Sequence, residues 1–259
     1  MDPITKRKKG ASLALARRLF ARPQANHRFR LRGEEITRTE TLSDAVFAFT
    51  ISLLVMALEV PQTFEELKQT LRSFIPFVAT VALVFLFWYH QYRFFRHYGI
   101  NDIPVIILNA GLLILVLFYV YPLKFLFSLL FGMLTHINFF EKATATGKTI
   151  LTNEDFPQLV MIYSGGYAAI WFIYFLLYKR AWQLRKLMKL DAFEMEDTRK
   201  QIRGAMLNVL LGISALFFAW IGLPAVGGIC FFMILPAMMI NNGYTNKRIK
   251  RINIPALLS

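Results

Sequence analysis

Six stretches of this chain stay apolar for about 18 residues or more, the length that a bilayer's hydrocarbon core demands of a spanning helix. They fall at about 41–60, 73–94, 102–136, 157–178, 203–222 and 224–241. Each run is continuous and does not alternate apolar with polar, which argues against a transmembrane β-barrel. The chain is 56% hydrophobic and 18% charged, where a soluble domain carries more charge. These features predict an all-α polytopic membrane protein with six transmembrane helices per subunit. The third run exceeds what a bilayer needs, so it is expected to tilt, to kink at Pro122 or to protrude. Only Gly222, Leu223 and Pro224 separate the last two runs, so these are expected to form a tight antiparallel hairpin.

Charge sets the orientation. The net charge is +14, and the cations lie between the spans. Lys and Arg number 11 before the first span, 2 at 93–101, 8 at 179–203 and 4 in KRIKR at 247–251, so 25 of 30 share one side when both termini do. The positive-inside rule makes that side the cytoplasm. The expected organisation is a basic cytosolic tail at 1–40, a six-helix membrane domain at 41–241 and a second basic cytosolic tail at 242–259. SLALARRLFAR at 12–22 could form a basic amphipathic helix on a membrane surface. An Arg-rich, acid-poor start also occurs in organelle targeting sequences, which leaves an organelle membrane as the alternative location. The basic runs at 179–189 and 247–251 fit topology and contact with lipid headgroups better than nucleic acid. The spacing of 179–189 further predicts that the fourth span continues as a cytosolic helix.

Chemistry-bearing motifs are absent. There is no HExxH, Walker loop, CxxC, EF-hand or GxSxG pattern, so no enzyme, cofactor or structural metal is expected. His90 and His97, seven apart, lack a third metal ligand. Cys230 is the one cysteine, so no intrachain disulfide can form. A secondary transporter would show paired broken helices in two halves. Pro122 and the Gly222–Pro224 break do not form such a pair. A transporter and a non-conducting membrane scaffold remain the rivals of a pore.

The first span carries the unusual pattern. At 100° per residue, Ala45, Phe49, Ser52, Met56 and Glu59 of LSDAVFAFTISLLVMALE fall in one narrow sector. Helix packing through small and hydroxyl residues would account for such a stripe; so would the lining of a pore, with Glu59 as a carboxylate at its mouth. The pattern occurs once in the chain, so a symmetric pore needs several copies. Asp44 lies off the stripe and needs a donor from another helix. Arg38, Ser43, Asp44, Trp88, His90 and Asn109 lie at similar depth and are expected to form one polar knot that holds the first helix in register.

RTETLSDAVFAFTISLLVMALEVP resembles the first helix of the transmembrane protein 175 family, potassium-permeable channels of endolysosomes and bacteria. Their signature is a basic residue, three residues, then Phe-Ser-Asp; Arg38, Ser43 and Asp44 match it, with Leu42 in place of Phe. WYH at 88–90 and Asn109 resemble the family's second and third spans. The resemblance implies a homotetramer with four copies of helix 1 around the pore, in a bacterial plasma membrane, passing K⁺ without a carbonyl filter. By position it implies a constriction at Phe49, a hydroxyl layer at Ser52 that K⁺ meets transiently, and a second apolar ring at Met56. The family commonly has an aliphatic residue in place of Phe49 and Thr in place of Ser52. The resemblance thus implies a hydrophobic gate with modest preference for K⁺ over Na⁺.

Overall fold

A computed structural model of the chain describes residues 29–33, 35–56, 60–135, 139, 151–152 and 154–253. The chain divides into two units, 1–30 and 31–259. Only Phe29 and Arg30 of the first are described, so the basic N-terminal segment, with its expected surface helix at 12–22, lies outside the described residues. Every element below belongs to the second unit.

The described residues form helices α1 (Arg38–Met56), α2 (Phe64–Arg72), α3 (Phe74–Tyr98), α4 (Ile103–Thr135), α5 (Asp155–Gln183), α6 (Ala192–Trp220), α7 (Pro224–Cys230) and α8 (Ile234–Asn253). A 3₁₀ turn, Phe231–Met233, joins the last two. Among the described residues six helical stretches are long and apolar enough to cross a membrane, with α2–α3 and α7–α8 each counting as one. No strand occurs among the described residues.

Local chemistry sets the ends. Thr37 and Glu40 form a reciprocal cap on α1. Glu40 N donates to Thr37 Oγ1 at 3.2 Å, and Thr37 N donates to Glu40 Oε1 at 3.1 Å, satisfying two donors that the first turn leaves orphaned. Asp191 and Glu194 build the same box on α6, which starts this helix at Ala192, eleven residues before the apolar run begins. Gly99 ends α3 in the left-handed region, φ 59°. A Cβ there would also meet the Arg32 carbonyl at 2.9 Å, so glycine fits on both counts.

One expectation about helix length needs revision, and the excess length of the third span is present as expected. The fourth span does not continue through 179–189: α5 stops at Gln183 and turns follow, with Lys189 at φ 50°. The basic side chains therefore gather at a bend. The third span runs unbroken through Pro122. Its 33 residues reach about 50 Å at 1.5 Å per residue, against roughly 30 Å of hydrocarbon. Tyr163 of α5 donates its hydroxyl to the Pro122 carbonyl, and Tyr119 donates to Tyr163 O at 2.5 Å, so α5 clasps α4 around the proline.

Packing runs in sequence across the subunit. α1 lies against α3 and α4, α4 against α5, α5 against α6, and α6 against α7 and α8. Small residues allow the closest approach: a Cβ on Gly212 of α6 would come within 2.9 Å of Ala168 Cβ on α5. Ion pairs tie the basic ends of the helices together. Arg32 clamps Glu194 with contacts of 3.0 and 2.7 Å, Arg180 meets Asp102 at 2.7 Å, and Arg248 meets Glu196 at 2.9 Å. The start of α4, the ends of α5 and α8 and the start of α6 therefore share one face of the subunit.

Candidate pore-lining helix

α1 sits at the flank of the helix series and has two unlike sides. Ser43, Phe47, Thr50 and Leu54 are buried. They recur at the i, i+4, i+7, i+11 spacing of one helical face, and this face packs on α3 and α4. Ala45, Phe49, Ser52 and Met56 lie about 200° away and are exposed, Phe49 to 55% and Met56 to 77%. Among the described residues no helix packs over the stripe.

Hydroxyls in the apolar part of this helix give their protons to its own backbone. Thr50 Oγ1 donates to Val46 O at 2.7 Å, and Ser52 Oγ donates to Ala48 O at 3.1 Å. Such back-bonding removes the cost of a free donor in a dry environment. At Ser52 it leaves the oxygen lone pairs as the outward-facing feature.

The buried side is fixed by polar side chains from two other helices. Gln91 of α3 donates Nε2 to Asn109 Oδ1 at 2.5 Å. Asn109 of α4 donates Nδ2 to Ser43 Oγ at 2.8 Å, and Ser43 donates to Thr39 O at 2.7 Å. This chain of bonds ends on the α1 backbone. All three side chains are buried. Beside it Trp88 Nε1 donates to Asp44 Oδ1 at 2.7 Å, while the indole stacks on Tyr92 with centroids 5.4 Å apart.

Of the six residues expected in the knot, Ser43, Asp44, Trp88 and Asn109 thus meet as two bonded pairs. Arg38 stands exposed on the first turn and joins neither pair. His90 is not part of the arrangement. Two positions along a helix rotate about 200°, so His90 faces away from α1 when Trp88 faces it. Its ring lies edge-on to Trp171 of α5 at 5.1 Å, and Nδ1 has no hydrogen-bond partner among the described residues. Gln91 takes the place expected of His90. It lies three residues after Trp88, on the same side of α3, and that spacing is the signal the sequence carried for it. Glu59, the expected pore-mouth carboxylate, lies outside the described residues. No metal-binding group of His, Cys, Asp or Glu occurs among the described residues.

Residues 38–122, which span this arrangement, match the family described as Endosomal/lysosomal potassium channel TMEM175. A potassium channel of Marivirga tractuosa is 34% identical over 233 residues, covering 88% of this chain and 94% of that protein. The chain belongs to the TMEM175 family. A second relative, a potassium channel of Chamaesiphon minutus, is 25% identical over 212 residues, 78% of this chain and 92% of its own. The fold also matches the crystal structure of a single-residue variant of the potassium channel MtTMEM175, solved with a nanobody–MBP fusion protein. The TM-score is 0.75 at 33% identity, covering 86% of this chain and 98% of that one. The matched region holds α1, α3 and the first half of α4, so it contains both bonded pairs and the exposed stripe.

Proposed function

We propose that this chain is a potassium-permeable cation channel in which α1 helices from four copies line one central pore. Membership of a family of potassium channels supports conduction. The observation that carries the pore assignment is the exposed stripe on α1, diametrically opposite the face that α3 and α4 hold. A single helix cannot enclose a water-filled path, so the stripe becomes a lining only when copies turn it toward a shared axis.

In this reading Phe49 forms the constriction and Met56 a second apolar ring. Rings of this kind block ions by dewetting and conduct when they widen. Between them Ser52 presents lone pairs that replace part of the hydration shell of K⁺, and Glu59 gathers cations at the mouth. Hydroxyls and water, without a carbonyl cage, give a modest preference for K⁺ over Na⁺. Flow is passive and uses no cofactor. The membrane domain spans about 41–241, with the basic segments 1–40 and 242–259 in the cytoplasm of a bacterial cell. The basic ends gathered on one face and the bacterial relatives support that placement.

The test is Phe49→Ala beside the unaltered channel in planar bilayers. The expected result is higher single-channel conductance with lower K⁺ over Na⁺ selectivity. Val46→Ala, outside the stripe, should change little. Unchanged conductance and selectivity in Phe49→Ala would remove Phe49 from the pore.

A further inference from the structure

At the basic end of the α5–α6 pair the two helices open into a groove of about 360 Å³. Phe175, Lys179 and Trp182 line it from α5 at i, i+4, i+7; Arg199, Ile202 and Arg203 line it from α6 at i, i+3, i+4. Its floor is apolar and its rim cationic. The cations are crowded. The guanidinium groups of Arg185 and Arg199 both lie over the Trp182 ring, 4.6 and 4.8 Å from its centroid. Arg203 and Arg248 both lie over Tyr244, each at 5.1 Å. Lys179 Nζ stands 5.8 Å over Phe175.

Stacking on an aromatic ring orients a cation without neutralising it. Carboxylates here are scarce. Glu196 is shared between Arg248 at 2.9 Å and Arg199 at 3.5 Å. Glu194 and Asp197 on the same helix turn to Arg32 and Arg93. Arg203 gives its hydrogen bonds to neutral groups, Asn241 at 3.2 Å and Thr245 at 2.8 Å. Lys179, Arg185, Arg199, Arg203 and Arg248 thus share one carboxylate among the described residues.

We infer that this groove binds an anionic phospholipid. Its phosphate lies against Lys179, Arg199 and Arg203, and an acyl chain runs down over Phe175 and Ile202. The position at the ends of two membrane-spanning helices puts the rim at headgroup depth and the floor at acyl depth, where basic pockets between spans recognise such lipids. A free phosphate would use the rim and gain nothing from Phe175 or Ile202. A zwitterionic headgroup would bring its own ammonium into the cation cluster. This assignment needs membrane residence but not conduction.

The experiment titrates full-length protein in detergent with short-chain phosphatidylglycerol or phosphatidylcholine and reads bound lipid by native mass spectrometry, with glycerol 3-phosphate as competitor. We expect at least roughly tenfold preference for phosphatidylglycerol and a loss of roughly fivefold for each cation removed in Lys179→Gln or Arg199→Gln. Arg199→Lys should retain most of the affinity, and Arg72→Gln, at the opposite end of the spans, all of it. Lys179 is exposed with no ion pair among the described residues, so Lys179→Gln reads binding without a folding defect. Equal retention of the two lipids, or unchanged binding in both glutamine variants, would overturn the inference. Full competition by glycerol 3-phosphate at equal concentration would overturn the choice of a lipid over a free phosphate.

Discussion

Asn109 is the hinge of the buried bond chain, and a double-mutant cycle with Ser43 isolates what it does for α1. Its carboxamide receives from Gln91 at 2.5 Å and gives to Ser43 at 2.8 Å. Side-chain hydrogen bonds between membrane helices couple by about 0.6 kcal/mol on average and up to about 1.7. The Ser43–Asn109 bond belongs to the upper half of that range, because both groups are sealed inside protein at 1% and 2% exposure and neither water nor another helix replaces a lost partner. Asn109→Ala also strands the Gln91 amide, which adds about 1–3 kcal/mol. Ser43→Ala strands only the Asn109 amide, since the hydroxyl proton goes to the Thr39 backbone. We therefore expect losses of about 3 kcal/mol for Asn109→Ala and about 1.5 kcal/mol for Ser43→Ala, with a coupling of about 1 kcal/mol in the double variant. Thr50→Ala is the control. Thr50 bonds only within α1, about 10 Å along the axis from Ser43, so its cycle with Asn109 should be additive within about 0.5 kcal/mol. The assay is reversible SDS unfolding in mixed micelles, followed by far-ultraviolet circular dichroism. Identical coupling for the Ser43 and Thr50 cycles would refute the claim that the bond chain pins α1.

Two further outcomes follow from the same geometry. Arg32→Ala removes the 3.0 and 2.7 Å contacts to the Glu194 carboxylate, which is 0% exposed, and should cost about 3 kcal/mol. Arg32→Ala combined with Glu194→Gln should recover much of that in the same unfolding assay, because a glutamine oxygen can still accept from the Asp191 amide. Trp88→Phe keeps the stacking on Tyr92 but loses the 2.7 Å bond to Asp44. With Asp44 exposed and so partly hydrated, the loss should be about 1 kcal/mol, and Asp44→Asn, which keeps an acceptor, should lose less.

The six spans were legible because bilayer thickness imposes a length that apolar runs must meet, and the sequence satisfies it six times. The two sides of α1 were legible for a similar reason: 100° per residue is geometry, and it separates Phe49 and Ser52 from Phe47 and Leu54 without reference to any neighbour. Helix ends were less so. Hydropathy starts the apolar run of α6 near 203, whereas the Asp191–Glu194 cap begins the helix at Ala192 among charged residues that hydropathy does not read as part of a span. The end of α5 at Gln183 was hidden because a basic, leucine-containing run keeps helical spacing even where the chain turns. Of the residues expected in one knot, the structure bonds Asp44 to Trp88 and Ser43 to Asn109 as two separate pairs. Depth alone cannot say which way a side chain points, which is why Gln91 stands where its sequence neighbour His90 was expected.

Exposure by itself does not distinguish the front of α1. In a bilayer an uncovered Phe49 or Met56 costs little, since lipid tails are as apolar as a helix face, and Ser52 has already given its proton to Ala48. Anchoring of the back provides the distinction. Ser43 and Asp44 are adjacent, about 100° apart around the helix, and are held by different helices, Asn109 of α4 and Trp88 of α3. Two attachments at different angles fix the rotation of a helix about its own axis, where one would leave it free to turn. A turn of one residue's worth, about 100°, would carry Phe47 and Thr50 toward the positions now held by their neighbours and swing the stripe from the front of α1 to its flank. The polar groups near the start of α1 therefore determine which side chains, up to four turns away, face out of the subunit, and the carboxylate and hydroxyl that a lone apolar span would do better without are what set its front.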